Sequence, residues 1–281
     1  MSFAERMGFT SPRSVTQTDA LDTETRTELW NTVYVIRGLT RQDVMAYDVD
    51  TAITAAIWAW YFKNARDEQP RDEKVWGRVK SAIMDGEWFE ALDCIEAYGK
   101  YLHRFSNQFT YQVPDAFDDL LNAALERYLV GYRLIERELV PLSDDMSVAA
   151  VTDALDLTVQ LTGARNHLLR ATELLADRQT PDYPNTIKEA ISAVESVVAT
   201  VTGEGTLGAG LRKLKAAGIE LHPALESAWS KMYGWTSDAQ GIRHAAIDQA
   251  DADQSLAKYM LVACSAFVSY VMEAGRKSEL I

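Results

Sequence analysis

An all-α fold is predicted for this 281-residue chain by three features of its sequence. Apolar residues recur at helical spacing, while period-two alternation is rare. Only 15 glycines and 7 prolines punctuate the chain, too few for many short strands and tight turns. Apolar side chains make up 47% of the residues, enough to fill the core of one large or two ordinary domains.

Residues 1–18 are polar and irregular. A helix is expected from Asp19. Leu21, Leu29, Trp30, Val33 and Tyr34 give it a partial apolar face, and acidic residues sit in its first turn, where the helix dipole favours them. Asp48 or Asp50 can cap the next helix, which carries Ile53, Ile57, Trp58, Trp60, Tyr61 and Phe62 and is apolar nearly all round, as a central helix is. The charged run 64–74, with Pro70, reads as a loop. Two helices follow at 75–84 and 88–103. Pro114 and Asp115 open a long helix predicted to reach Val140 and to end at Pro141. Leu142-Ser143-Asp144-Asp145 supplies cap residues and the best linker, dividing the chain into domains 1–142 and 143–281. Beyond it, helices are predicted over 148–176, 186–201 (stopped by Gly203-Glu204-Gly205), 207–217, 223–233 and 254–273. The most apolar stretch, 259–272, is shorter than a bilayer requires and reads as a buried helix, so no membrane association is expected.

The formal charge is -13, and both halves are acidic: 16 basic and 24 acidic residues up to Asp144, 12 and 17 after it. Such a balance argues against coating long nucleic acid by bulk charge, yet leaves room for a local basic patch that takes one strand. Cys94 and Cys264 lie in apolar helical contexts and read as core thiols of a reduced, cytoplasmic protein. The N-terminal residues have no apolar secretory core. Cysteine and histidine do not cluster at zinc spacing, and the Gly203–Gly205 and Gly208–Gly210 pairs lack the lysine of a phosphate loop, so neither metal nor cofactor is expected. Cys94 has only His103 near it in sequence, a weak basis for a catalytic thiol.

Two resemblances add to this reading. Met1-Ser2-Phe3-Ala4-Glu5-Arg6-Met7-Gly8, Gln17, Leu21, Arg26 and Leu29-Trp30-Asn31 make the first 140 or so residues similar to the fourth type of N-terminal domain found on AbiJ abortive-infection proteins. That resemblance implies bacterial defence against phages, with this domain sensing or assisting. The second half matches along His167-Leu168, Leu174-Leu175-Ala176-Asp177-Arg178, the segments 181–195 and 237–246, and Lys258-Tyr259-Met260-Leu261-Val262-Ala263-Cys264-Ser265-Ala266-Phe267. It resembles a HEPN domain (higher eukaryotes and prokaryotes nucleotide-binding), a helical and often dimeric fold that cuts or binds RNA.

The resemblance implies metal-independent RNA cleavage in which a ribose 2′-OH attacks the adjacent phosphate, a histidine moves protons and an arginine steadies the phosphorane. Arg243 and His244 are the candidates, with Asp238, Glu195 and Glu189 as orienting carboxylates. The chain departs from the family spacing: past the usual interval of four to six residues after Arg243 stand Asp248, Gln249 and Ala250, and the histidine is instead adjacent. Helical neighbours project about 100° apart, so Arg243 and His244 share one phosphate only at a frayed helix start or across a symmetric dimer. Arg243 can equally be a structural tie to Asp238 or Asp248, and His244 a half-buried histidine bonded to a carbonyl. Of the two glutamates, Glu195 is the one expected to be buried, with Arg243 as its partner. Arg212, Lys213 and Lys215, with Lys188 and Asn185, are candidate RNA contacts; the bland alternative is a solvated helix face. Trp58, Trp60, Tyr61, Phe62, Trp76, Trp88 and Phe89 can be a base-stacking platform, although helical spacing favours a core.

The preferred function is therefore a defence protein whose C-terminal domain is an endoribonuclease acting on RNA, as a homodimer, under a phage-derived or host trigger. The alternatives are a non-catalytic module that binds nucleotide, RNA or protein, and a dimerisation scaffold.

Overall fold

The computed structural model describes residues 15–41, 44–177, 180–237 and 252–280, with Phe3, Met7 and Phe9. It is all-α apart from one two-stranded hairpin, with eleven α-helices among the described residues. The chain divides into two compact units, Met1–Ser143 and Asp144–Ile281.

The first unit contains α1 (Thr23–Leu39), α2 (Val44–Ala56), α3 (Asp72–Asp85), α4 (Trp88–Phe105), α5 (Val113–Arg127), β1 (Arg133–Ile135) and β2 (Glu138–Val140). The Asp22 carboxylate caps α1 by accepting from the Thr25 N–H at 2.8 Å. Glu87 and Glu90 form a reciprocal capping box at the start of α4. Buried residues recur every three or four positions: Leu29, Val33 and Ile36 on α1, Val75, Val79 and Ile83 on α3, Leu121 and Leu125 on α5. That period is what turns three separate stripes into one core.

Gly99 marks the closest approach in that core. A Cβ added there would lie 2.7 Å from the Phe117 ring, itself edge-on to Tyr98 at 5.3 Å. Gly99→Ala gains about 1 kcal/mol of helix propensity and loses about 1–3 kcal/mol to overpacking. We expect a net fall in urea midpoint, reversed by adding Phe117→Leu; a midpoint that rises in the single variant would show that α5 yields freely.

Two expectations for this unit are corrected. Asp50 does not cap α2, which begins at Val44; it is a buried carboxylate in mid-helix, paired with Arg37. The helix opened by Pro114 stops at Arg127 and not near Val140. Leu129 turns left-handed (φ 52), and Gln17 then pairs beside the chain: its N–H donates to Leu129 O, and its carbonyl accepts from Gly131, each at 2.8 Å. Gly131 lets the two segments approach closely: a Cβ there would meet Thr18 Cγ2 at 2.8 Å and the Gln17 carbonyl oxygen at 3.3 Å, so a side chain would have to turn Thr18 aside. The hairpin that follows turns through Glu136 and Arg137, both at positive φ, which matches strand twist. Asn122 on α5 bonds both backbone groups of Leu134, and buried Arg133 donates to the carbonyls of Val130, Tyr132 and Ser143.

The second unit contains α6 (Asp145–Leu157), α7 (Thr162–Ala176), α8 (Tyr183–Thr202), α9 (Leu207–Lys213), α10 (Pro223–Ser237) and α11 (Gln254–Lys277). The helix expected over 148–176 is two helices. The carbonyls freed at the end of α6 are taken by side chains: Arg165 donates to Leu155 O, and Arg276 to Leu157 O. α8 is central and packs on α7, α9, α10 and α11. It starts at Tyr183, three residues earlier than expected, because Asp182 caps it and Pro184 fits the first turn; Gly203 ends it in the left-handed conformation (φ 73). At 24 residues α11 is long and apolar enough, by length and composition alone, to cross a membrane, the one such helix among the described residues. Its buried residues, from Ala257 through Leu261, Cys264 and Val268 to Val271, form a stripe of helical period that joins the unit's core.

Asp144 caps α6, accepting from the Ser147 N–H at 2.8 Å, and lies 3.6 Å from Lys258 of α11. Partial burial pushes its carboxyl up, but the Ser147 hydrogen bonds and Lys258 outweigh this and leave it below the usual range. A lowered folded pKa gives stability that is present above the unfolded pKa and lost as pH falls through the folded one. Asp144→Ala is expected to cost about 1 kcal/mol at neutral pH and nothing at the acidic end, where wild type loses the cap as well. A penalty equal at both pH values would show that the cap charge is irrelevant.

Candidate functional site

Two of the residues that carry the resemblance in the first unit, Gln17 and Arg26, are structural ties; of Met1–Gly8, all but Phe3 and Met7 lie outside the described residues. Gln17 uses its whole side chain: Nε2 donates to Thr25 Oγ1 and Tyr128 O, and Oε1 accepts from the Asp22 N–H. Arg26 donates to the carbonyls of Leu21 and Ile83, joining α1 to the end of α3. Both hold backbone that helices cannot satisfy alone.

In the second unit, α7 and α8 bring a histidine and a carboxylate together. His167 stands between the buried positions Ala164, Leu168 and Ala171 on α7, at the edge of the apolar stripe. Glu189 occupies the same edge of α8. The His167 Nδ1–H donates to Glu189 Oε2 at 2.6 Å, with side chains 40% and 20% exposed. The bond leaves His167 Nε2 without a hydrogen-bond partner among the described residues. This arrangement fixes the tautomer and orientation of an imidazole that solvent can still reach, as proton transfer needs.

Asp238, Arg243 and His244 lie outside the described residues. Glu195 is half-buried on α8, within a helix whose neighbouring positions Val194, Val197 and Val198 are buried. Lys188 is exposed beside Glu189. Asn185 is exposed too, and its amide is used at the helix start, donating to Asp182 Oδ2. Arg212, Lys213 and Lys215 are exposed at the end of α9 and in the turn after it, with Lys213 paired to Glu204. No group of three or more His, Cys, Asp or Glu side chains that could hold a metal occurs among the described residues. Burial pushes the Cys94 thiol up to about 12 and the Cys264 thiol higher still, so neither is a nucleophile at neutral pH.

The sequence reading named Glu189 but not its partner. His167 stands at the head of the second resemblance, and the signal was topological: two antiparallel helices joined by a short turn place positions 22 apart side by side. The remaining histidines have other work. His103 bonds Asp118 between α4 and α5, and His222 Nδ1 accepts from the Ala224 N–H at the start of α10.

Two units, helical among the described residues apart from one hairpin, with a histidine–carboxylate pair in the second, are the class that fold and geometry define. The family model of AbiJ N-terminal domain 4 matches residues 1–157, and the chain belongs to that family, one of abortive-infection defence. The matched segment runs past Ser143 to the end of α6, which packs on α11 in the second unit. No curated protein and no solved structure matches the chain.

Proposed function

We propose that the protein is an abortive-infection effector whose C-terminal unit is a HEPN-like, metal-independent endoribonuclease. The observation that supports this most is the His167–Glu189 pair, which presents an oriented imidazole on a half-exposed helical face. In the scheme, a ribose 2′-oxygen attacks the adjacent phosphorus, its proton passes to His167, and the bond to the 5′-oxygen breaks, leaving a cyclic phosphate and a 5′-hydroxyl. Glu189 stabilises the imidazolium as it forms. Arg243 steadies the charged phosphorane and His244 returns a proton to the leaving oxygen. Arg212, Lys213, Lys215, Lys188 and Asn185 guide the strand. The working form is a homodimer through this unit, released by a trigger made during infection.

A second reading is a binding module without cleavage. It is favoured by the absence of histidine at Asp248, Gln249 and Ala250, where a HEPN nuclease would place it. Induced expression in a bacterial host separates the two, with growth and RNA integrity followed for wild type, Arg243→Ala and His244→Ala, both with and without phage challenge. Growth arrest with fragmented RNA in wild type alone is expected. Intact RNA in all three proteins under both conditions retires the nuclease in favour of the module.

A further inference from the structure

The aromatic group that the function leaves unused lies in the first unit. α2 runs into one wide turn, Ile57–Tyr61, closed by the Phe62 N–H donating to Ile57 O at 2.9 Å. Such five-residue turns recur at functional sites. Here Trp60 is 39% exposed. Its ring stacks on Phe105 (centroids 5.9 Å apart, planes at 22°) and meets Tyr101 edge-on at 5.8 Å.

Two guanidinium groups lie over the same indole, Arg104 at 4.8 Å and Arg66 at 5.7 Å from its centroid. Both arginines are exposed, and neither has a carboxylate partner among the described residues, in a chain of net charge -13. Beside Trp60 and Arg66 opens a cavity of about 370 Å3, with Arg104 over the same indole but outside the cavity lining. Ala52, Ala55 and Ala56 of α2 line it with small side chains. Trp60 and Phe105 supply a stacked aromatic wall. Arg66 and Gln69 add a charge and an amide.

We propose that this slot binds one nucleotide unit, a nucleobase carrying phosphate. The aromatic wall offers stacking, which any base satisfies; the two arginines offer forked donors that match phosphate oxygens; Gln69 offers donor and acceptor to a base edge. The volume lies near the lower end for small-molecule sites and suits a single unit, not a run of bases. A cationic ligand is repelled by the arginines, and a plain apolar one leaves their charge uncompensated. The site does not depend on RNA cleavage in the second unit.

The test is calorimetric titration of the full chain with the four ribonucleoside monophosphates, adenosine, ribose 5-phosphate and a single-stranded RNA octamer. At least one monophosphate is expected to bind at one site per chain, with adenosine and ribose 5-phosphate each about tenfold weaker or more. Trp60→Leu, Ala55→Leu (which fills the slot) and Arg104→Gln are each expected to weaken binding about tenfold, and Arg104→Gln to flatten the salt dependence as well. Arg104 is exposed, so its variant remains informative if Ala55→Leu fails to fold. An octamer that binds more tightly than any monophosphate, with the same response to the variants, identifies a nucleic-acid end as the source; equal or weaker octamer binding identifies a free nucleotide. Absence of binding by monophosphates and octamer at millimolar concentration overturns the proposal, as does wild-type affinity in Trp60→Leu and Arg104→Gln.

Discussion

Arg37→Ala is expected to destabilise the first unit by about 3–5 kcal/mol, the range for stripping one partner from a buried ion pair. The Asp50 side chain is 1% exposed, and Arg37 meets it with two bonds, Nε to Oδ1 at 2.9 Å and Nη2 to Oδ2 at 3.2 Å. The guanidinium also lies 4.2 Å from the centroid of the Trp76 ring, whose indole N–H donates to Thr54 Oγ1, and that hydroxyl in turn donates to the Asp50 carbonyl. Removing Arg37 leaves Asp50 with Arg41, at 3.6 Å and largely solvated. Five of the seven tryptophans, residues 30, 58, 60, 76 and 88, belong to this unit, so urea unfolding followed by tryptophan fluorescence reports on it. The double variant Arg37→Met with Asp50→Leu should recover most of the loss, since the penalty belongs to the stranded charge and not to the missing attraction. A loss below about 1 kcal/mol in the single variant would mean that Arg41 closes on Asp50 and that the pair is dispensable.

How far the sequence reached depends on which interactions set each element. α4 and α11 were legible because strong periodicity and local signals agree: a capping box starts α4, Asp253 caps α11, and apolar residues recur at one period throughout. The end of α5 was not, because it is decided by Gln17, more than a hundred residues earlier, which pairs with the chain at Leu129 and Gly131. The hairpin turn hid for a related reason: Glu136 and Arg137 adopt positive φ without the Asn-Gly or Asp-Gly pair that would have announced it. The break between α6 and α7 contains neither glycine nor proline, and Arg165 and Arg276 satisfy it from elsewhere in the unit. Asp50 shows the same limit from the other side. An aspartate ahead of an apolar run reads as a cap, and only the approach of α1 makes it a counter-ion. The aromatic stripe proved to be of two kinds. Trp76 is sealed in the core, while Trp60, pushed out by the wide turn, is not. Of the site, Glu189 could be named from the sequence, but the histidine beside it required the packing of α7 on α8.

For the proposed nuclease, His167→Ala is expected to slow RNA cleavage by roughly 10²–10⁴, the usual contribution of a general base. The fold should scarcely notice. A half-exposed pair of this kind contributes about 0–1 kcal/mol, because solvent screens it and two side chains must be ordered to make it. This separation makes the measurement decisive, since a large loss of rate with an unchanged melting temperature cannot arise from a loosened helix pair. Glu189→Gln sharpens the test. The amide removes the charge that favours the imidazolium, and its NH2 can donate to Nδ1, which moves the ring proton to Nε2 where a base needs a lone pair. Its rate loss should approach that of His167→Ala, and the double variant should be no slower than His167→Ala alone, because residues that act as one unit do not contribute additively. Single-turnover cleavage of a defined RNA by protein purified from infected cells gives the three rates. Losses that multiply in the double variant, or a His167→Ala rate within about threefold of wild type against the loss expected of a base, would make the pair a surface tie between α7 and α8 and leave Arg243 and His244 as the only remaining chemistry.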